Sequence, residues 1–108
     1  MRQTRNFPSG TSYFGQTIEA TVEQLTELLG EPYNDYNNGD DKVNYEWIME
    51  TDNGDVFTIY DWKYYRPLHP AELVHWHIGG FNGQSTITAK NELNKELSKL
   101  AILKNLTK

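Results

Sequence analysis

Hydrophobic and polar residues alternate along two consecutive stretches in the middle of the chain. In the stretch 43–50, VNYEWIME, the apolar positions share one face: Val43, Tyr45, Trp47 and Met49. This period of two predicts a half-buried β-strand. Asn53-Gly54 then favours the positive backbone dihedrals of a tight hairpin turn. The return strand, 56–62, carries bulky residues on both faces, so we expect it to be central in a sheet or to line a pocket.

Two other stretches have the three- to four-residue spacing of amphipathic helices. In residues 21–30, TVEQLTELLG, Thr21 and Gln24 form a predicted capping box and Gly30 supplies a left-handed stop. A second helix is predicted to begin at Ser85 or Thr86. Its apolar stripe contains Ala89, Leu93, Leu97 and Leu100.

The remaining segments complete a predicted order of strands and helices. Residues 1–10 read as a flexible leader, and residues 11–20 as a loop followed by a short strand. A further strand, 73–78, is expected to stop at Gly79-Gly80, with a positive φ at one glycine. The pattern predicts a single α+β domain over residues 11–108. We expect a two-layer sandwich, with a three- to four-stranded, mainly antiparallel sheet covered by two helices.

Composition and charge exclude several classes of function. The chain of 108 residues has no cysteine, so it forms no disulfide and no Cys-ligated zinc site. A net charge of −5 disfavours general nucleic-acid binding, because an acidic body repels phosphate backbones. No apolar run is long enough to predict a membrane span. We predict no cofactor.

Aromatic and basic residues at the end of the return strand form the first candidate site. Tyr60 and Trp62 fall on the same strand face and can stack a planar base. Lys63 and Arg66 follow and can neutralise a phosphate group. The alternative is that Trp62 closes a small second core and that Lys63 is simply solvated.

A Gly-bounded loop near the start of the chain is the second part of the candidate site. Thr11, Ser12, Tyr13 and Gly15 lie in the sequence GTSYFG. Consecutive backbone amides in such a loop can form an anion-binding nest. The lysine of a phosphate-binding Walker motif is missing.

Three histidines lie within nine residues, and they allow two kinds of chemistry. His75 and His77 share a strand face and His69 precedes them, but the spacings of structural zinc sites are absent, so we predict no metal site. A His–Asp pair with Asp61 is the alternative, as a general base. We assign no catalytic residue and place His75 and His77 in the ligand-binding set.

An acidic cluster surrounds the predicted hairpin. Its members are Asp40, Asp41, Glu46, Glu50, Asp52 and Asp55. Such an array can mimic phosphates and occupy a nucleic-acid-binding protein. The simpler interpretation is solubility and protection of the sheet edge.

Several segments together resemble one family of proteins. The segments GTSYFG, LLGEP, EWIMETDNGDVFTIYDWK and WHIGG, spread over residues 10–81, are similar to those of small proteins encoded by double-stranded DNA phages and other viruses. The resemblance implies a viral accessory protein located in the cytoplasm of an infected cell. Proteins of this kind often counter host defences.

Three functions follow from these features. The first is a non-enzymatic counter-defence protein that binds and sequesters a small nucleotide-derived ligand. The second is a protein-binding inhibitor of a host defence enzyme, acting through an acidic or aromatic surface. The third is a small hydrolase or phosphodiesterase. Self-association into a homo-oligomer is compatible with each of them.

Overall fold

A computed structural model describes residues 1–4 and 8–106 of the chain. It contains five strands and two helices: β1 (Arg2–Gln3), β2 (Ser12–Ala20), α1 (Val22–Leu29), β3 (Glu46–Glu50), β4 (Val56–Tyr60), β5 (Val74–Gly80) and α2 (Gly83–Leu106). The strands form one antiparallel sheet in the order β1-β3-β4-β5-β2. The α+β class is therefore confirmed, with five strands rather than three or four.

The two edge strands are those that the sequence pattern did not define. Arg2 and Gln3, at the start of the predicted leader, pair with Glu50 and Met49. Residues 5–7 of that leader lie outside the described part of the chain. At the other edge, β2 has nine residues and pairs with β5 from its first residue, where a loop was expected. A register shift after Tyr13 makes a β-bulge there and breaks the regular alternation.

The cap of α1 is the predicted one, whereas that of α2 is not. Helix α1 has the predicted capping box between Thr21 and Gln24, and Gly30 ends it at a φ of 85°. Helix α2 begins earlier than predicted, because Asn82 is its cap: the Asn82 Oδ1 accepts a hydrogen bond of 2.8 Å from the Ser85 amide. Asparagine caps a helix as well as serine does, so the earlier start costs nothing.

Both helices pack on the same face of the sheet. Two tryptophans, Trp47 and Trp76, are fully buried there, and their rings meet edge to face with centroids 5.5 Å apart. Each indole N–H donates to a backbone carbonyl, that of Gly30 at 2.8 Å and that of Ala20 at 2.9 Å. The predicted stripe of α2 contributes to this core: Ala89, Leu93 and Leu100 are buried and Leu97 is partly buried.

The hairpin loop between β3 and β4 is longer than predicted. Thr51 and Asp55 close it through a backbone hydrogen bond of 2.9 Å, and Gly54 has a φ of 87°. Asn53 does not have a positive φ. A loop with one left-handed glycine at its end replaces the expected two-residue turn.

Gly79 and Gly80 end strand β5, as predicted, but not through a positive φ. Both lie within β5, paired with Tyr13 and Ser12 on one side and with β4 on the other, and neither has a positive φ. Glycine is required here by close packing. A Cβ atom at position 79 would lie 2.6 Å from the Thr58 Oγ1, and one at position 80 would lie 2.8 Å from the Ser85 Oγ.

Neither described helix is long and apolar enough to cross a membrane.

Candidate functional site

The face of the sheet opposite the helices carries the candidate site, and we call it the outer face. Thr58 and Tyr60 of β4 lie on it, since their neighbours Phe57 and Ile59 point into the core. His77 of β5 lies directly opposite Tyr60 in the register. The central strands therefore bring together the polar and aromatic residues that the sequence placed on one face.

Four rings form a cluster on the outer face, which we call the aromatic cluster. Tyr13 stacks on His77 with ring centroids 4.0 Å apart and an interplanar angle of 14°. Trp62 lies on His77 at 6.3 Å and 28°. Tyr60 meets both Trp62 and His77 edge to face, at 6.1 and 5.6 Å. The cluster is partly exposed, with Trp62 40 % accessible, so a planar ligand can extend the stack.

A cleft of about 230 Å³ opens beside this cluster, and we call it the outer cleft. Its lining comes from the start of β2, from the central strands and from the segments that flank them: Thr11, Ser12, Val43, Glu46, Thr58, Tyr60, Trp62 and Gly79. The absence of a side chain at Gly79 keeps the floor of the cleft open next to Thr58. Polar and apolar groups thus share a small concave surface, as is typical of ligand sites.

Two lysines flank the indole of Trp62. The Lys63 Nζ lies 5.5 Å from the ring centroid and the Lys42 Nζ lies 5.9 Å from it. A backbone hydrogen bond of 2.8 Å, from the Lys63 N–H to the Lys42 carbonyl, joins the two segments. Lys63 has a left-handed backbone, with a φ of 57°. Two positive charges are therefore held beside one aromatic surface in an otherwise acidic protein.

Glu46 and Tyr60 bring a carboxylate and a phenol into the outer cleft. Burial raises the pKa of the Glu46 carboxyl, and among the described residues none donates a hydrogen bond to it. Burial, together with the nearby charges of Glu46 and Tyr13, raises the pKa of the Tyr60 phenol. The two side chains lie opposite each other in the β3–β4 register. They are therefore available as an acceptor and a donor for a bound molecule.

Arg66 does not reach the outer cleft, contrary to its predicted role as a phosphate ligand. Its guanidinium makes two hydrogen bonds to the Glu72 carboxylate, at 2.7 and 2.8 Å, and lies over the Tyr64 ring. This arginine, with the His69 backbone amide, lowers the pKa of Glu72 to about 2. Arg66 is thus engaged in holding its own loop.

Asp61 has a structural role and is not a partner of a histidine. It is fully buried. Its Oδ1 accepts hydrogen bonds from the Asn44 and Tyr45 amides at 2.9 and 2.8 Å, and its Oδ2 accepts one of 3.0 Å from the Asn44 side chain. The carboxylate thereby fixes the chain that leads into β3, including Lys42 and Val43. The predicted general base with Asp61 is therefore not formed.

The histidines lie in three different environments. His75 is exposed, with its Nδ1 3.4 Å from a Glu19 carboxylate oxygen, and it does not line the cleft. Burial lowers the pKa of His77, which favours the neutral ring that stacks on Tyr13. The His69 Nδ1 accepts a hydrogen bond from the Ala71 amide. In residues 1–4 and 8–106, no group of three or more His, Asp or Glu side chains is arranged to hold a metal ion.

The predicted anion-binding nest is replaced by extended backbone. The Thr11 amide donates to the Pro8 carbonyl at 3.0 Å, and Ser12 pairs with Gly80 in the sheet. These pairings leave no run of free amides at Thr11 and Ser12, although both residues do line the outer cleft. Gly15 lies in the β-bulge, away from the cleft lining.

The acidic cluster around the hairpin is divided rather than continuous. The Arg2 side chain pairs with Glu50 at 2.6 Å, and the amino terminus of Met1 pairs with Asp52. Glu46 is half-buried in the outer cleft. Half of the six acids are therefore paired or turned away from a common surface.

Comparisons of the chain with family models, with curated proteins and with solved structures gave no match.

Lys42, Val43, Glu46 and Gly79 belong to the site but were not among its predicted residues. Glu46 was assigned to the acidic hairpin, although its alternation with Trp47 placed it on the outer face. Its position opposite Tyr60 follows only from the strand register, which a short hairpin signal does not define. Lys42 is brought to Trp62 by the buried Asp61, and nothing in the local sequence marks that residue as buried.

A side chain at position 79 is expected to damage both the sheet and the cleft. In Gly79→Ala the new methyl group meets the Thr58 Oγ1, and we expect the free energy of unfolding to fall by about 1–3 kcal/mol. Chemical denaturation measures this loss. Gly83→Ala is the matched control, because its Cβ enters open space in the first turn of α2 and is expected to be neutral or slightly stabilising. Equal stability of the two variants would contradict the packing argument.

Proposed function

We propose that this protein binds a small nucleotide-derived ligand in the outer cleft without chemically changing it. The observation that carries the proposal is the partly exposed Trp62 ring, flanked by Lys42 and Lys63 and bordering a cleft that also contains the Glu46 carboxylate and the Tyr60 phenol. A base stacks on the aromatic cluster, and the two ammonium groups attract the phosphate. Base–aromatic stacking contributes about 1–3 kcal/mol per base.

The size of the outer cleft limits the ligand. Its 230 Å³ lies below the range of about 300–1,000 Å³ that encloses drug-sized molecules. The cleft therefore takes a base or a nucleoside, and the phosphate stays at its rim beside the lysines. Because those lysines are exposed, salt screens their attraction, and affinity is expected to fall as ionic strength rises.

The resemblance to viral accessory proteins suggests a biological role for nucleotide binding. A protein that holds a nucleotide signal made by an infected cell withdraws it from its receptor. Sequestration of this kind needs affinity and abundance but no catalytic group. In the aromatic cluster the His77 imidazole stacks on Tyr13 and is not assigned as a general base, which is consistent with that role.

A thermal-shift titration tests the proposal. The ligands are AMP, GMP, CMP and UMP, with ribose 5-phosphate and orthophosphate as controls that lack a base. At 100 times its dissociation constant, a ligand adds about 2.7 kcal/mol to the stability of the folded state. For a domain of this size the midpoint then rises by about 10 °C or more. If no nucleotide at millimolar concentration raises the midpoint more than ribose 5-phosphate does, the proposal fails.

A protein-binding inhibitor is the second candidate, and three exposed tyrosines favour it. Tyr33, Tyr36 and Tyr65 are 73, 74 and 54 % accessible. They lie on two loops that pack together, since Asn37 exchanges two hydrogen bonds with the Leu68 backbone. Exposed aromatic residues are typical of protein interfaces.

Replacing all three tyrosines by serine separates this candidate from nucleotide binding. The nucleotide titration is expected to be unchanged, whereas binding to a protein partner or to a second copy would be lost. Light scattering of the unmodified protein shows whether the partner is a second copy.

A further inference from the structure

Of the described residues that line the outer cleft, Glu46 is the one with an acidic side chain. It lies on β3 directly opposite Tyr60, and Trp62 follows Tyr60 two residues later. All three side chains line the same cavity. A base stacked on the aromatic cluster therefore has one edge within the space that Glu46 borders.

The Glu46 carboxylate is costly to the protein in the absence of a ligand. Burial raises the pKa of the Glu46 carboxyl, and no described residue forms a hydrogen bond or an ion pair with it. A half-buried carboxylate without donors loses part of its hydration and gains nothing in return. Two N–H groups on a ligand would supply the donors that the described residues do not.

The four common bases differ in what they offer a carboxylate. Guanine presents two adjacent donors, N1–H and N2–H, at a spacing that fits the two oxygens of one carboxylate. Adenine and cytosine each place an acceptor nitrogen beside their exocyclic amine, and that acceptor repels a carboxylate oxygen. Uracil has a single N–H between two carbonyl groups.

We infer that Glu46 selects guanine, by accepting both hydrogen bonds from the Watson–Crick edge of a guanine nucleotide whose base stacks on the aromatic cluster. This inference rests on the proposed nucleotide-binding function and names the class of ligand. A bidentate contact of this kind discriminates against a wrong base by about 1–3 kcal/mol. The corresponding preference for GMP over AMP is about 5- to 150-fold.

Isothermal titration calorimetry with GMP, IMP and AMP tests the inference on the unmodified protein. IMP keeps N1–H but lacks the N2 amine, so its affinity is expected to fall between those of the other two. Equal affinities for GMP and AMP would overturn the inference while leaving the nucleotide-binding proposal intact. Binding of none of the three would overturn both.

The variant Glu46→Gln tests the residue itself. It replaces one acceptor oxygen by a donor amide, so GMP affinity is expected to fall about 5- to 150-fold and the GMP-to-AMP ratio to fall to about three or less. A retained preference for GMP would show that another group reads the base. If the variant does not fold, the three-nucleotide series on the unmodified protein still decides the question.

The stability of Glu46→Gln gives a readout that is independent of any ligand. Because the pKa of Glu46 in the folded state is raised above its ordinary value of 4.5, ionisation disfavours folding as pH rises through the folded-state pKa. The variant should therefore have a higher unfolding midpoint than the unmodified protein at pH 7, and this difference should disappear below pH 4.5. A variant that is less stable at pH 7 would show that the carboxylate is already compensated and would overturn the inference.

Discussion

Replacing Asp61 by alanine is expected to lower the free energy of unfolding by about 3 kcal/mol. The substitution removes the acceptor of three N–H groups in a buried site: the Asn44 amide, the Tyr45 amide and one of the two N–H groups of the Asn44 side chain, whose other N–H donates to the Arg66 carbonyl. Unsatisfied buried donors cost about 1–3 kcal/mol each, and partial access of water reduces the sum. For a domain of this size, the thermal midpoint falls by about 15 °C.

A conservative variant at the same position is expected to lose less stability than Asp61→Ala. Asp61→Asn keeps the oxygen that accepts the two backbone amides but sets its own N–H₂ group against the Asn44 side chain, so we expect a loss of about 1 kcal/mol. Asp40→Ala is the control, because Asp40 is an exposed acid on the same connection and its removal should change stability by less than about 0.5 kcal/mol. Urea denaturation compares the three variants. Equal stability of Asp61→Ala and the unmodified protein would refute the role of the buried carboxylate.

Trp62→Ala is expected to weaken the binding of every nucleotide, whichever base it carries. It removes the stacking surface and, with it, the ring over which Lys42 and Lys63 are placed. At about 1–3 kcal/mol for one stacked base, the dissociation constant rises about 5- to 150-fold. Because the indole is 40 % accessible and lies outside the core, the unfolding midpoint should change little.

Two further variants separate stacking from a general aromatic effect. Trp62→Phe retains a smaller ring and should recover part of the affinity. Tyr36→Ala removes a more exposed aromatic side chain that does not line the outer cleft, and it should bind as the unmodified protein does. Calorimetry measures all three dissociation constants. If Trp62→Ala and Tyr36→Ala bind a nucleotide equally well, the base does not stack on Trp62.

The elements that could be predicted are those whose signals are local. The Thr21–Gln24 capping box and Gly30 define α1 within ten residues, and the alternation around Trp47 defines β3. Strand β1 has only two residues and so has no periodicity to detect. Strand β2 loses its alternation at the bulge after Tyr13.

Two kinds of signal predicted residues of the candidate site: a shared strand face, and the Gly-bounded segment whose Thr11 and Ser12 line the outer cleft. Tyr60 and His77 were assigned to one face because alternation alone places them there. A positive φ was predicted at Gly79 or Gly80 because glycine commonly adopts it, whereas glycine is required at position 79 by the short distance to Thr58 on the neighbouring strand. Arg66 was placed in the site because a free arginine suits a phosphate, but Glu72, six residues later, holds it in a loop geometry that no periodicity encodes.

The order of strands in the sheet has a consequence for the kinetics of folding. The β3–β4 hairpin joins residues that are close in sequence, but Ser12 at the rim of the outer cleft pairs with Gly80, roughly 70 residues away. Closing so long a loop costs chain entropy before any contact is gained, so the rim should assemble after the floor. A folding intermediate that contains only the β3–β4 hairpin would lack Ser12 and the rest of β2 at the edge of the cleft. Ligand binding in the outer cleft would therefore indicate that all the strands have paired.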